Sequence, residues 1–132
     1  MTEAAPAVVP ELSVRDWRRS MAFYTDVLGF SCRYSRPDEG FAYLVHEGAH
    51  LMIDQIGVGR DFDPGLAEVA GPLGRGLNLQ IRVADIAPMI AALSRAAHPL
   101  RLGPEDRWYR QGQTEAGNRQ FVVADPDGYL LR

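Results

Sequence analysis

One pattern in this chain is written twice, and that repeat limits the available folds more than any other feature. In the first copy Leu12 and Val14 alternate with polar neighbours, the period-2 signature of a half-buried strand. Asp16 follows in the place of a helix N-cap, where a carboxylate accepts the unpaired N–H groups of the first turn. Trp17, Met21, Tyr24, Val27 and Leu28 then recur at helical spacing, and Gly29 stands where a helix ends on a left-handed residue. Ile81, Val83, Asp85, Ile86, Ile90 and Leu93 repeat Leu12, Val14, Asp16, Trp17, Met21 and Tyr24 at a constant offset of 69. Two strand–Asp–helix units in 132 residues predict a duplicated module.

The rest of the chain fills out each copy. Residues 1–8 read as a small flexible tail. In the first module, 9–56, strands are predicted over Val9–Val14, Phe30–Arg36, Phe41–His46 and His50–Ile56, with a helix over Asp16–Leu28. Pro37-Asp-Glu-Gly40 makes a tight turn, and Glu47-Gly-Ala49 reads as a three-residue hairpin loop. Residues 57–76 carry six glycines and two prolines without periodicity and read as a linker. The second module, 77–132, opens on the alternating strand Leu77–Val83. A helix follows from Asp85 to about Ala97, with Pro88 tolerated in its first turn. Leu100–Leu102 is a further strand, Trp108–Arg110 a strand or a loop arm, and Arg119–Ala124 and Tyr129–Arg132 flank the turn Asp125-Pro-Asp-Gly128.

Composition excludes several classes of function. A net charge of −3 argues against nucleic acid, which needs a basic face, and is compatible with a cationic ligand. The single Cys32 rules out an intrachain disulfide and fits a reducing cytoplasm. No run has the length of a membrane helix, and no signal peptide is recognisable, so a cytoplasmic location away from membranes is expected.

Candidate site residues come from the side of each strand that does not pack on a helix. With Leu77, Leu79, Ile81 and Val83 on the helix side, Asn78, Gln80 and Arg82 lie opposite. With Leu51 and Ile53 on the helix side, His50, Met52 and Asp54 lie opposite, and Glu11 and Ser13 oppose Leu12 and Val14. Period alone leaves open whether this polar set faces solvent on an ordinary sheet or lines a cavity. Trp108 and Tyr109 form a stacking platform for a flat ligand, or else one of them plugs a barrel end or an interface. His46 and His50 flank the hairpin loop, where they are expected to face each other with Asp54 further along. They lack a fourth ligand, so surface histidines are the expectation there rather than a metal site.

The motifs also carry a resemblance. Leu-x-Val-x-Asp, then Ser20-Met-Ala-Phe-Tyr-Thr-Asp-Val-Leu-Gly-Phe30, closed by Phe121-Val-Val-Ala-Asp-Pro-Asp-Gly-Tyr129, resembles the glyoxalase/bleomycin-resistance/dioxygenase (vicinal oxygen chelate) superfamily over nearly all of residues 9–132. The resemblance implies an α+β fold, in which two tandem βαβββ modules build a partly open eight-stranded barrel around a ligand cavity, usually in a homodimer. The polar set then lines that cavity, with Glu11 and Asp54 answering Arg82 and Arg132.

Metal-dependent members hold a divalent cation with His and Glu at four positions, which fall here on Val9, Met52, Asn78 and Arg132. A valine, a thioether, a neutral amide and a fixed cation make no first shell for such an ion. What the resemblance implies is therefore a bleomycin-resistance-like homodimer without metal or cofactor. It would sequester a small molecule, for example a bleomycin-type or other flat antibiotic, without turnover. Its ligand-binding residues would be Glu11, Ser13, Met52, Asp54, Asn78, Gln80, Arg82, Trp108, Tyr109 and Arg132, with none catalytic. The alternatives are a metal-dependent lyase, isomerase or dioxygenase of the same fold, which the four positions disfavour, and a metabolite carrier or regulator.

Overall fold

Each half of the chain builds a four-stranded sheet in the same order, and this fixes where the open faces lie. The structure is a computed structural model that describes residues 4–59 and 62–132. Residues 1–3 of the expected tail and 60–61 of the expected linker fall outside the described residues. In the first half, β1 (Glu11–Val14), β2 (Ser31–Arg36), β3 (Phe41–His46) and β4 (Ala49–Gln55) form sheet 1 in the order β1-β4-β3-β2, with β1 parallel to β4. In the second, β5 (Asn78–Leu79), β6 (Leu102–Gln111), β7 (Thr114–Ala124) and β8 (Leu130–Leu131) form sheet 2 in the order β5-β8-β7-β6, with β5 parallel to β8. One topology occurs twice, as the repeat requires. The architecture is α+β, in two mixed four-stranded sheets rather than one closed barrel.

The helix that follows β1 starts where the sequence puts it. Asp16 is extended at φ −141°, and its carboxylate accepts from the N–H groups of Arg18 and Arg19 at 3.1 and 3.2 Å. The regular part, α1 (Trp17–Ala22), then widens into a π turn over Phe23–Val27. That turn ends on Gly29 at φ +84°, with the Phe30 N–H donating to the Tyr24 carbonyl at 2.8 Å. In the second half α2 spans Ala87–Arg95, and the His98 N–H donates to the Leu93 carbonyl at 2.9 Å. The π turn thus adds one residue, and the offset between the copies falls from 69 to 68 beyond it: Tyr24 matches Leu93, but Phe30 matches His98. A sequence repeat cannot show this, because the extra residue is hidden inside an unbroken apolar period.

Three other expectations change. The Glu47-Gly48 connection is a two-residue loop with φ of +47° and +87°, as tight hairpins demand, because His46 pairs with Ala49. His50 then pairs with Val45, so the two histidines lie on opposite faces of the sheet and do not face each other. The expected strand Leu77–Val83 shrinks to two residues, since β8 offers only Leu130 and Leu131 for pairing. Of the expected strand Leu100–Leu102 only Leu102 is in a strand, and it opens one long strand, β6, that includes the arm around Trp108 and forms a hairpin with β7. The Gly103-Pro104 step sits in a register shift between Leu102 and Glu105, where a missing N–H breaks no ladder bond.

A bolt of buried carboxylates joins the halves. The Asp125-Pro-Asp-Gly128 turn, which reads in the sequence only as a β-turn, presents Asp125 and Asp127, respectively 4% and 2% exposed. Asp125 accepts from the Tyr24 hydroxyl at 2.7 Å and from the N–H groups of Asp127 and Tyr129, both at 2.9 Å. Asp127 accepts from the Arg15 N–H at 3.3 Å and lies 3.7 Å from the guanidinium groups of Arg15 and Arg19. The Tyr129 hydroxyl donates to the Ser13 carbonyl at 2.8 Å. Around these bonds one apolar core runs through both halves, from Leu12, Val14, Trp17 and Tyr24 to Leu93, Phe121, Val123 and Leu131.

Candidate functional site

The face of sheet 1 turned away from α1 gathers the densest chemistry in the chain. Leu12, Val14, Leu51 and Ile53 are spent on the core, so their strand neighbours emerge on the other side. Glu11 pairs with Met52 and Ser13 with Asp54 across β1 and β4, which brings four of the expected site residues side by side. Met52 and Asp54 in turn pair with Tyr43 and Phe41 on β3, and these pair with Tyr34 and Arg36 on β2. The result is a continuous surface: two carboxylates on one edge, aromatic rings in the middle, guanidinium groups on the other.

The rings are organised among themselves. Tyr34 stacks on Tyr43 with centroids 5.3 Å apart and planes 20° from parallel, and Phe41 lies 5.9 Å from Tyr34. The Arg36 guanidinium lies 4.0 Å from the Phe41 centroid and 5.8 Å from that of Tyr34, while Arg33 lies 5.4 Å from Tyr43. A register shift between Cys32 and Tyr34 lets Arg33 lean to this side. The Tyr43 hydroxyl and His50 Nδ1 are hydrogen-bonded at 2.7 Å, both residues being buried. Tyr34, in contrast, is 46% exposed and offers a ring face to solvent.

Charge is concentrated at Asp54. Burial pushes its carboxyl above the ordinary range, the nearby carboxylates of Glu11 and Glu39 push the same way, and Arg36 opposes them. Glu39 is held 2.7 Å from the Arg36 guanidinium, which leaves Glu11 and Asp54 as the acidic edge beside the aromatic floor, an arrangement that favours a cation. Alternation picked out Glu11, Ser13, Met52 and Asp54 but not Tyr34, Phe41 or Tyr43. In Phe41-Ala-Tyr-Leu-Val45 both faces are apolar, so period 2 carries no signal there.

The remaining expected residues lie on sheet 2 and do not complete the same surface. Asn78, Tyr109 and Arg132 line a separate hollow of about 370 Å³ together with Glu105, Arg107 and Gln120. Its floor is tied by the Tyr109 hydroxyl donating to Gln120 Oε1 at 2.9 Å, with the Arg132 guanidinium 5.7 Å from the Tyr109 ring. Gln80 accepts from Arg132. Arg82 lies elsewhere, beside α2, because the chain leaves the ladder after Leu79 and the alternation lapses. Trp108 and Tyr109 cannot form one platform: neighbours on a strand point to opposite faces, and Trp108, 70% exposed, covers Gly117 instead. No residue of β1–β4 lines the sheet 2 hollow, and among the described residues no ion pair joins Glu11 or Asp54 to Arg82 or Arg132. The expected charge pairing across one cavity is therefore not made within a chain.

The superfamily's metal chemistry fails on the donors. Met52 stands on sheet 1 beside Tyr43, whereas Asn78 and Arg132 stand on sheet 2, and with Val9 they offer a thioether, an amide, a cation and an alkyl group. These residues do not fit a divalent ion. Among the described residues no cluster of three or more His, Cys, Asp or Glu side chains has metal-binding spacing.

Comparison with known proteins follows the same lines. A family profile, Glyoxalase/Bleomycin resistance protein/Dioxygenase superfamily, matches residues 7–132. A superfamily member from Vibrio splendidus 12B01 is 38% identical, with 94% of this chain and 93% of that one covered, at a TM-score of 0.41. TioX from Micromonospora sp. ML1 is 21% identical, with 96% and 95% covered and a TM-score of 0.68. TnmS3, an antibiotic binding protein from Streptomyces sp. CB03234, is 22% identical, with 98% and 95% covered and a TM-score of 0.57. No curated protein matches. No helix among the described residues is long and apolar enough to cross a membrane. With its duplicated βαβββ topology and a profile match along nearly its whole length, the chain belongs to the glyoxalase/bleomycin resistance protein/dioxygenase superfamily.

Proposed function

We propose that this protein captures a flat, cationic small molecule on the open face of sheet 1, without metal and without turnover. The observation that carries the reading is the acid-edged aromatic surface: stacked Tyr34 and Tyr43, with Asp54 held above the ordinary carboxylate range by burial and like charge. A bound cation would relieve that repulsion while a planar ring extended the stack on Tyr34. The protein's own Arg36, lying over Phe41, occupies the kind of position a ligand cation would take. The antibiotic-binding description of TnmS3 supports an antibiotic as the ligand class.

A homodimer fits the same reading. Among the described residues of one chain the open faces of the two sheets share no lining residue, and β2 and β6 are edges without a strand partner that need covering. Setting sheet 1 of one copy against sheet 2 of another would close a cavity, with Glu11 and Asp54 facing Arg107. The test is calorimetric titration with a bleomycin and a panel of flat cationic antibiotics. Saturable binding of one of them that weakens in Tyr34→Ala supports the reading. Absence of affinity across the panel removes the antibiotic assignment.

A further inference from the structure

The repeat supplies an internal standard for how well a helix fills the space above its sheet, and the second copy falls short of the first. On the first helix, positions 17, 23 and 24 are Trp, Phe and Tyr, and all three are buried. The equivalent positions of the second, 86, 92 and 93, are Ile, Ala and Leu, and only Leu93 is buried. Three aromatic rings have been replaced by small aliphatic groups with no compensating bulk. A groove of about 730 Å³ results beneath α2, and it meets the Tyr109 hollow at Gln120 and Arg132, which line both. Its walls include Phe30, Ile86, Ile90, Phe121 and Leu131. Close packing leaves few voids of this size in a protein, and a volume of several hundred Å³ is typical of a ligand pocket.

Its rim is basic. Arg82, Arg119 and Arg132 border the groove, Arg119 lying 3.4 Å from Asp106 and Arg132 donating to Gln80, against the single lining carboxylate of Asp85, which accepts from the Ala87 N–H at 3.0 Å. Among the described residues Arg82 has no ion-pair partner, and Arg132 Nε is buried without a hydrogen-bond acceptor. A buried donor without an acceptor is costly and marks a place where an acceptor belongs. We infer that this groove is a second ligand site, separate from the face of sheet 1, and that it takes an amphipathic carboxylate: an apolar chain or ring beneath α2, with its anionic head at Arg82 and Arg132.

Dodecanoate, kept below its micellar concentration, is a suitable probe, with dodecanol and dodecyltrimethylammonium as uncharged and cationic controls of equal chain length. Calorimetry should give saturable binding of one dodecanoate per chain. Methyl resonances of Ile86, Ile90 and Leu131 should shift, and those of residues on the open face of sheet 1 should not. Arg82→Gln should weaken binding about tenfold, the loss of one charge-assisted hydrogen bond. Ile90→Trp should fill the groove and abolish binding. If Ile90→Trp does not fold, as judged by circular dichroism, Ala87→Phe at the groove's edge serves the same purpose. The inference is overturned if dodecanoate does not bind, if the cationic control binds equally well, if filling the groove leaves affinity unchanged, or if a second copy of the chain covers the groove in solution. None of these outcomes bears on ligand capture at sheet 1.

Discussion

Replacing Tyr24 with Phe isolates the bond that ties the two halves of the protein together. The hydroxyl donates to Asp125 Oδ2 at 2.7 Å, and the side chain is fully buried, so no water can take its place. The ring itself is retained, along with its edge contacts to Phe23 and Phe30 at 5.4 and 5.5 Å. What is lost is one hydrogen bond to a buried acidic group, about 1.5–3 kcal/mol when the acceptor is charged. For a chain of 132 residues that is a fall in Tm of about 5–12 °C. The pH dependence has a definite sign. Burial raises Asp125 above the ordinary range while the Tyr24 hydroxyl and two backbone N–H groups pull it down. Removing the hydroxyl therefore penalises the ionised form most, and the loss should shrink as acid protonates Asp125. Reversible thermal unfolding of Tyr24→Phe, Asp125→Asn and the double variant, at neutral and acid pH, tests this. A Tm within about 1 °C of wild type, or strictly additive effects across the cycle, would refute the bolt.

Three further outcomes are expected. Asp54→Asn should stabilise the protein at neutral pH: a carboxyl raised by burial, Glu11 and Glu39 contributes its stability below its ordinary pKa and loses it as pH rises through the folded value. Urea midpoints at pH 7 should show the gain, and midpoints at acid pH should not. Gly40→Ala should cost about 1–3 kcal/mol, because φ is +63° there and an added Cβ would stand 2.7 Å from the Gln55 Cβ; an unchanged midpoint would contradict the packing at that turn. Protein purified without chelator should carry well under one equivalent of divalent metal, and a full equivalent by elemental analysis would overturn the metal-free reading.

The duplicated topology was legible because both copies keep the same strand–Asp–helix signal, and Asp16 caps its helix as its position demands. What stayed hidden has physical causes. The π turn leaves an apolar period intact while adding a residue, so the repeat looks more regular than it is. The β6–β7 arm is mostly exposed on both faces, and alternation cannot mark a strand with no buried side. Part of the candidate site, Glu11, Ser13, His50, Met52 and Asp54, followed from period 2. Tyr34 and Tyr43 did not, because β3 is apolar on both faces and β2 carries a register shift. Trp108 misled for the opposite reason: adjacency in sequence suggested a shared surface that the pleat forbids.

The most direct test of ligand capture at sheet 1 is calorimetric titration of one flat cationic antibiotic into wild type, Tyr34→Ala and Asp54→Asn at two salt concentrations. Loss of the Tyr34 ring should cost about 0.5–1.5 kcal/mol beyond the area it covers. Loss of the Asp54 charge should cost about 2–5 kcal/mol, most of it at low salt, where the attraction is least screened. Binding that both variants leave unchanged would place the ligand elsewhere and contradict the assignment of this face.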